Sequence, residues 1–138
     1  MEECFRPCVS DRELNAMSTL ALAHVGDAVY ELLVRTRLTL EGNRTARVLH
    51  REAVRRVSAP AQARAIKKIE MQLTETEWEV FRRGRNAHVH AIPRGAAVGE
   101  YHAATGLETL FGWLYLRGEE QRVNELFRMI MEDSDNAT

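Results

Sequence analysis

The sequence LALAHVGDAVYELLV at residues 20–34 is almost wholly apolar and predicts one long helix in the protein interior. Asp27 breaks this pattern, because an unpaired carboxylate costs several kcal/mol to remove from water. A second acid, Glu108, lies in a similar setting at residues 105–116, TGLETLFGWLYL. Two apolar helices that each bury one acid favour a divalent cation shared by both carboxylates. The alternative is that an arginine or a helix end satisfies each acid separately.

Each acid has a glycine nearby in its predicted helix, Gly26 beside Asp27 and Gly112 after Glu108. A glycine inside a helix costs about 1 kcal/mol relative to alanine. The structural reason most consistent with this cost is close approach of one helix to another. We therefore predict that the two helices cross at these glycines, which would bring the two acids together.

The length and composition of the chain limit which classes of protein it can belong to. A chain of 138 residues with 45% hydrophobic and 28% charged residues is typical of one globular domain. Cys4 and Cys8 are too few for a disulfide framework, which favours a reducing, cytoplasmic location. We expect no signal peptide and no membrane association, because residues 20–34 are too short and too polar to span a bilayer.

The net charge of −1 hides an uneven distribution. Residues 35–94 carry 14 basic and 6 acidic side chains, whereas the rest of the chain carries 5 basic and 14 acidic ones. A basic middle segment favours a polyanionic partner. The alternative is a solvated helical face that acids from elsewhere in the fold neutralise.

The periodicity along the chain is helical, with no strong strand pattern, so we predict an all-α fold. The predicted domain covers residues 18–132, between an N-terminal leader at 1–17 and a frayed tail at 133–138. A loop is expected at residues 90–95, which contain a proline and a glycine. The predicted helices cover, approximately, residues 18–38, 44–58, 60–69, 74–81, 100–116 and 119–131.

Two groups of arginines are candidate nucleic-acid contacts. The first follows one face of a predicted helix at three- and four-residue steps, and the second surrounds a glycine in RRGRNAH at residues 82–88. Arginine and asparagine are donors typical of phosphate and sugar contacts. The structural alternatives are acids that cover the first group and helix-end carbonyls that bind the second. The predicted RNA-binding residues are Arg44, Arg47, Arg51, Arg82, Arg83, Arg85, Asn86 and Arg94.

Four blocks of the chain together resemble one known family. They are LAHVGDAVYE at residues 22–31, VSAPAQA at 57–63, RRGRNA at 82–87 and ATGLE at 104–108. In this order they are similar to the Mini-ribonuclease III subfamily of the ribonuclease III catalytic domain. A single Gly-Asp match would mean little, whereas four collinear blocks over most of the chain are specific.

The resemblance implies a single ribonuclease III-type endonuclease domain, a helical bundle that acts as a homodimer on double-stranded RNA with Mg²⁺. It implies that Asp27 and Glu108 are catalytic and bind the metal. It also implies products with 5′-phosphate and 3′-hydroxyl ends. The expected substrate is the 23S ribosomal RNA precursor, with a ribosomal protein as a candidate helper.

Three positions depart from the pattern of full-length ribonuclease III. That enzyme has acids where this chain has Leu20, Ala23 and Thr105. Glu41 is a candidate replacement. With fewer carboxylates, the number of metals stays open and water would fill more of the coordination sphere. Two other functions remain as alternatives: a catalytically inert, ribosome-associated RNA-binding relative, and a helical protein-interaction module.

Overall fold

A computed structural model of the chain describes residues 4–87 and 97–135, with side chains as far as residue 132. These residues form seven α-helices, and no strand occurs among them. The all-α prediction is confirmed. The helices are α1 (Asp11–Asn15), α2 (Thr19–Leu40), α3 (Ala46–Val57), α4 (Ala59–Ile69), α5 (Glu75–Arg85), α6 (Val98–Leu116) and α7 (Glu120–Asp135), with a 3₁₀ turn at Glu70–Gln72 after α4.

Helices α2 to α6 begin close to their predicted positions, whereas the two ends of the chain differ. Helix α1 lies in the segment expected to be an irregular leader. Five residues are too few to show helical periodicity, but Ser10 caps this helix and Leu14 is buried. Helix α7 continues to Asp135, past the predicted end near Met131. The loop predicted at 90–95 lies outside the described residues.

Side-chain caps fix the start of several helices. The Ser18 hydroxyl accepts a hydrogen bond of 3.1 Å from the backbone N–H of Ala21 at the start of α2. At α5, the Thr74 hydroxyl accepts from the N–H of Glu77, and the Glu77 carboxylate accepts from the N–H of Thr74. This reciprocal pair is a capping box.

Helix α6 lies at the centre of the fold and packs against α2, α5, α4 and α7. Leu107, Leu110, Phe111 and Leu114 have no exposed surface. A helix that is apolar on nearly every face must be surrounded by other helices. No helix within the two described segments combines the length and apolar character needed to cross a membrane.

Helices α2 and α6 cross in backbone contact at the two glycines, as predicted. A Cβ atom added to Gly26 would overlap the carbonyl oxygen of Glu108, and one added to Gly112 would overlap the carbonyl oxygen of Leu22. No other residue type leaves room for this approach. The crossing therefore explains why each helix accepts the cost of an interior glycine.

A buried ion pair joins α5 to α7. Arg122 contacts both carboxylate oxygens of Glu77 at 2.8 Å, and Glu77 is only 4% exposed. Burial tends to raise the pKa of Glu77, but hydrogen bonds from Arg122 and Thr74 outweigh it and lower the pKa below its ordinary value. The pair holds the C-terminal helix against the bundle.

Candidate active site

Asp27 on α2 and Glu108 on α6 converge beside the glycine crossing. Their carboxyl groups lie within hydrogen-bonding reach of each other. Neither of them forms an ion pair with an arginine or lysine among the residues that the structure describes. The alternative in which a separate arginine satisfies each acid is therefore wrong for the described part of the chain, and the two acids form one acidic pair.

The environment of the pair opposes double ionisation. Burial, followed by the adjacent Asp27 charge and a hydrogen bond that the protonated Glu108 donates to that carboxylate, raises the pKa of Glu108 to about 8. Two carboxylates this close cannot both be charged near neutral pH without a compensating cation. Carboxylate oxygens are the ligands that Mg²⁺ prefers, so the donor set fits a hard divalent cation.

Within the described residues, the pair belongs to no larger group of metal-binding side chains. Across residues 4–87 and 97–132, no cluster of three or more Asp, Glu, His or Cys side chains is found. Glu41, the candidate third acid, ends α2 and pairs with Arg37 at 3.3 Å and Arg44 at 3.5 Å. It is 14 residues from Asp27 on the same helix, about 20 Å away. Glu41 therefore does not join the acidic pair within one chain.

Gln62 is a residue of the site that the sequence analysis did not single out. It lies on α4 and is 2% exposed, and the interaction of its amide with Glu108 offsets only part of the rise in the pKa of that carboxyl. Its Nε2 nevertheless completes no well-aligned hydrogen bond within the described segments. Gln62 shares the buried face of α4 with Ala65, Ile66 and Ile69. A single amide among the apolar residues of this face is the sequence feature that could have identified Gln62 as a site residue.

Asp27 itself is exposed, which corrects the prediction of a helix buried on all sides. Only one face of α2 packs into the core. The other face is exposed although it carries several apolar residues, and their presence made the sequence look wholly interior. We call it the open face of α2; it comprises Leu20, Ala21, His24, Asp27, Ala28 and Leu32.

Residues 20–119 match the family model described as the Ribonuclease III domain. The chain belongs to the ribonuclease III family. Its Mini-ribonuclease 3 relatives include those of Thermoanaerobacter sp. (strain X514), 41% identical over 85% of this chain and 82% of the relative, and of Symbiobacterium thermophilum, 47% identical over 79% and 84%. A crystal structure of a Fusobacterium nucleatum protein is similar with a TM-score of 0.79 and 29% identity, covering 88% of this chain and 98% of that one.

The predicted family resemblance is thus confirmed, and the protein is an endoribonuclease of the ribonuclease III type. Enzymes of this family act on double-stranded RNA, generally depend on a divalent metal and typically dimerise. The family match includes both members of the acidic pair, because Asp27 and Glu108 lie within the matched residues.

The first arginine group of this ribonuclease III domain lies on an exposed face of α3, except for Arg44, which precedes the helix. Arg47 and Arg51 are exposed and have no acidic partner in the described part of the chain. Arg44 pairs with Glu41, and Arg55 pairs with Glu52 at 3.6 Å. Two of the four arginines are thus available to phosphates without breaking an ion pair, and two are partly neutralised.

The second arginine group ends α5. Arg82 and Arg83 are exposed, and Asn86 caps the helix end. Arg85 differs, because its guanidinium lies over the rings of Trp78 and Phe81 at 5.8 and 5.6 Å from their centroids. Part of its role is therefore packing. Arg94, predicted to belong to this group, lies outside the described residues.

Proposed function

We propose that this ribonuclease III family member cleaves double-stranded RNA with Mg²⁺ held by Asp27 and Glu108. The observation that carries the proposal is the convergence of two carboxylates from α2 and α6 with no basic partner among the described residues. When bound, a divalent cation would supply the charge that activates a water molecule and stabilises the departing 3′ oxygen. The products would carry 5′-phosphate and 3′-hydroxyl ends.

Within this site the protein side chains have separate tasks. Asp27, which is exposed, would reach both the cation and the scissile phosphate. Glu108, which is half-buried, would fix the cation against the fold. Gln62 would orient the Glu108 carboxylate through its Nε2, which has no other well-aligned acceptor within the described segments. Water would complete the coordination sphere, as Mg²⁺ tolerates.

The exposed arginines would dock the duplex through its phosphates. Arg47 and Arg51 on α3 and Arg82 and Arg83 on α5 are exposed and free of acidic partners in the described chain. Such contacts read the A-form shape of RNA more than its sequence. Arg44, Arg85, Asn86 and Arg94 stay predictions for the same surface.

A homodimer formed through the open face of α2 would complete the enzyme. Leu20 and Leu32 are 43% and 52% exposed there, and large apolar side chains grouped on one face favour association. A two-fold axis at this face would place the two acidic pairs near each other, because Asp27 belongs to it. Each pair could then cut one strand of the duplex.

The finer assignments rest on the family resemblance. We propose that the substrate is the precursor of 23S ribosomal RNA, that the protein works in the cytoplasm, and that a ribosomal protein is a candidate helper. Incubation of the purified protein with this precursor and with a mixed-sequence duplex, followed by mapping of the ends, tests the substrate. Equal cleavage of both would contradict a dedicated role in ribosomal RNA maturation.

The activity itself is tested with a labelled duplex RNA and Mg²⁺. Asp27→Asn should abolish cleavage but preserve RNA binding, whereas Glu79→Gln, which changes an exposed acid on α5, should leave both cleavage and RNA binding unchanged. Binding without cleavage by the wild-type protein would favour the inert RNA-binding alternative. Partner binding that does not weaken with salt would favour a protein-interaction module, because phosphate docking is strongly salt-dependent.

A further inference from the structure

A concave site that is lined by neither Asp27 nor Glu108 lies where α2, α3, α4 and α7 meet. It is a cavity of about 450 Å³, a volume typical of small-ligand sites. No acidic residue lines it in the described part of the chain. We call it the basic cavity; its lining includes the four cations Arg55, Arg56, Arg64 and Lys68.

Two of the four cations at the basic cavity are uncompensated by acids of the described residues. Arg56 and Arg64 have no acidic partner within the described segments. Arg55 has one ion pair, with Glu52, which lies outside the lining. Lys68 donates a hydrogen bond of 2.9 Å to the carbonyl oxygen of Ile130. Cations held around one concavity repel each other, so an anion bound there would relieve the repulsion.

Tyr30 supplies an independent observation. This residue lines the basic cavity although it is only 2% exposed, and its ring packs edge-on against Phe111 and Phe127. Its hydroxyl makes no hydrogen bond within the described segments. Burial raises the pKa of Tyr30, and the nearby Arg56 charge only partly opposes this, so the hydroxyl stays protonated. The hydroxyl oxygen keeps some accessible surface, so it can donate to a ligand oxygen in the cavity.

We propose that the basic cavity binds a phosphate monoester, carried either by a free nucleotide or by the end of an RNA chain. A monoester has close to two negative charges at neutral pH and three acceptor oxygens, whereas a diester within a chain has only one charge. Two arginine forks can bind it bidentately, and the Tyr30 hydroxyl can donate to a remaining oxygen. Val34, Ala65 and Met131 form an apolar part of the lining that suits the attached group.

The test is calorimetric titration of the full chain without divalent metal. Adenosine 5′-monophosphate should bind and adenosine should not. Arg56→Gln and Arg64→Gln should each weaken binding about tenfold, and Tyr30→Phe about threefold with an unchanged melting temperature. Arg12→Gln, an exposed arginine on α1, is the matched control and should bind like the wild type.

Short single-stranded RNAs with and without a 5′-phosphate identify the source of the group. Preference for the phosphorylated RNA over the mononucleotide would assign the cavity to RNA ends, and the reverse would assign it to free nucleotides. Either result supports the proposal. Absence of binding at millimolar concentration, or unchanged mononucleotide binding by a folded Arg56→Gln/Arg64→Gln double variant, would overturn it.

Discussion

Gly26 and Gly112 face each other across the α2–α6 crossing. A Cβ on Gly26 would lie 2.8 Å from the backbone nitrogen of Gly112, and a Cβ on Gly112 would lie 2.9 Å from that of Gly26. Both distances are shorter than real side chains tolerate. The position of Glu108 relative to Asp27 therefore depends on two residues that have no side chain.

Gly26→Ala should destabilise the fold by about 1–3 kcal/mol or more, because the added methyl forces the helices apart. It should also reduce cleavage more than unfolding alone explains, since separation of the helices separates the acidic pair. Urea unfolding and duplex cleavage measure the two effects. Gly99→Ala is the matched control, because a Cβ there meets no atom of the described residues within 4 Å. Equal effects of the two substitutions would contradict the crossing.

Glu108 should make the metal-free protein pH-sensitive. Its pKa is about 8 in the fold against an ordinary value of 4.5, so its protonated form is favoured by folding. The stability it contributes is present below about pH 4.5 and is lost as the pH rises toward 8. Glu108→Gln should remove this loss and raise the metal-free unfolding free energy at pH 8 by on the order of 2 kcal/mol. If the difference in unfolding free energy between wild type and variant does not change over this pH range, the predicted link between Glu108 protonation and stability is wrong.

The Glu77–Arg122 pair should behave in the opposite way. The pKa of Glu77 is lowered in the fold, so its contribution to stability is present above its ordinary pKa and is lost as the pH falls through the folded value. Arg122→Met should cost about 3–5 kcal/mol at neutral pH, because it leaves a buried carboxylate unpaired. Glu125→Gln, which removes only a more exposed partner of Arg122, should cost far less. Thermal unfolding at a series of pH values measures the stability of both variants.

Gln62→Met should weaken divalent-metal binding about 10–100-fold, because the variant keeps the side-chain volume but cannot hold Glu108 in place. The melting temperature should not fall, since the amide it removes has no well-aligned partner within the described residues. Manganese binding by calorimetry gives a readout independent of cleavage. Gln121→Met, at an exposed position of α7, serves as the control. Unchanged metal affinity in Gln62→Met would show that the residue only fills space.

Ala28→Arg should convert a dimer into monomers, because it places a charge in the centre of the open face of α2. Sedimentation analysis should then show a single-chain species with an unchanged helical content. Leu40→Glu changes an exposed apolar residue at the far end of the same helix and should leave the dimer intact. A wild-type protein that is monomeric at micromolar concentration would rule out this role for the face.

The sequence was a good guide where a local rule decides the structure. The Thr74–Glu77 capping box follows from residue types three positions apart, and the glycine crossing follows from the cost of glycine in a helix. The pairing of Asp27 with Glu108 was accessible because both acids lie close to those glycines. Each of these features could be argued from a few neighbouring residues.

The sequence was a poor guide where the answer depends on the shape of the surface. Apolar residues on the open face of α2 look identical in sequence to core residues, so Asp27 was expected to be buried. Glu41 was a candidate ligand until its place at the end of α2 put it beside Arg37 and Arg44. Gln62 reaches Glu108 only because α4 packs on α6, a contact that no spacing along the chain encodes.

The most direct test of the account is calorimetric titration of Mn²⁺ into the metal-free protein and its Asp27→Asn, Glu108→Gln and Glu79→Gln variants. The account predicts binding by the wild type and Glu79→Gln, and its loss in each of the other two, with the melting temperature of Glu108→Gln no lower than that of the wild type. Mn²⁺ binding that survives in both Asp27→Asn and Glu108→Gln would contradict a cation held between these carboxylates.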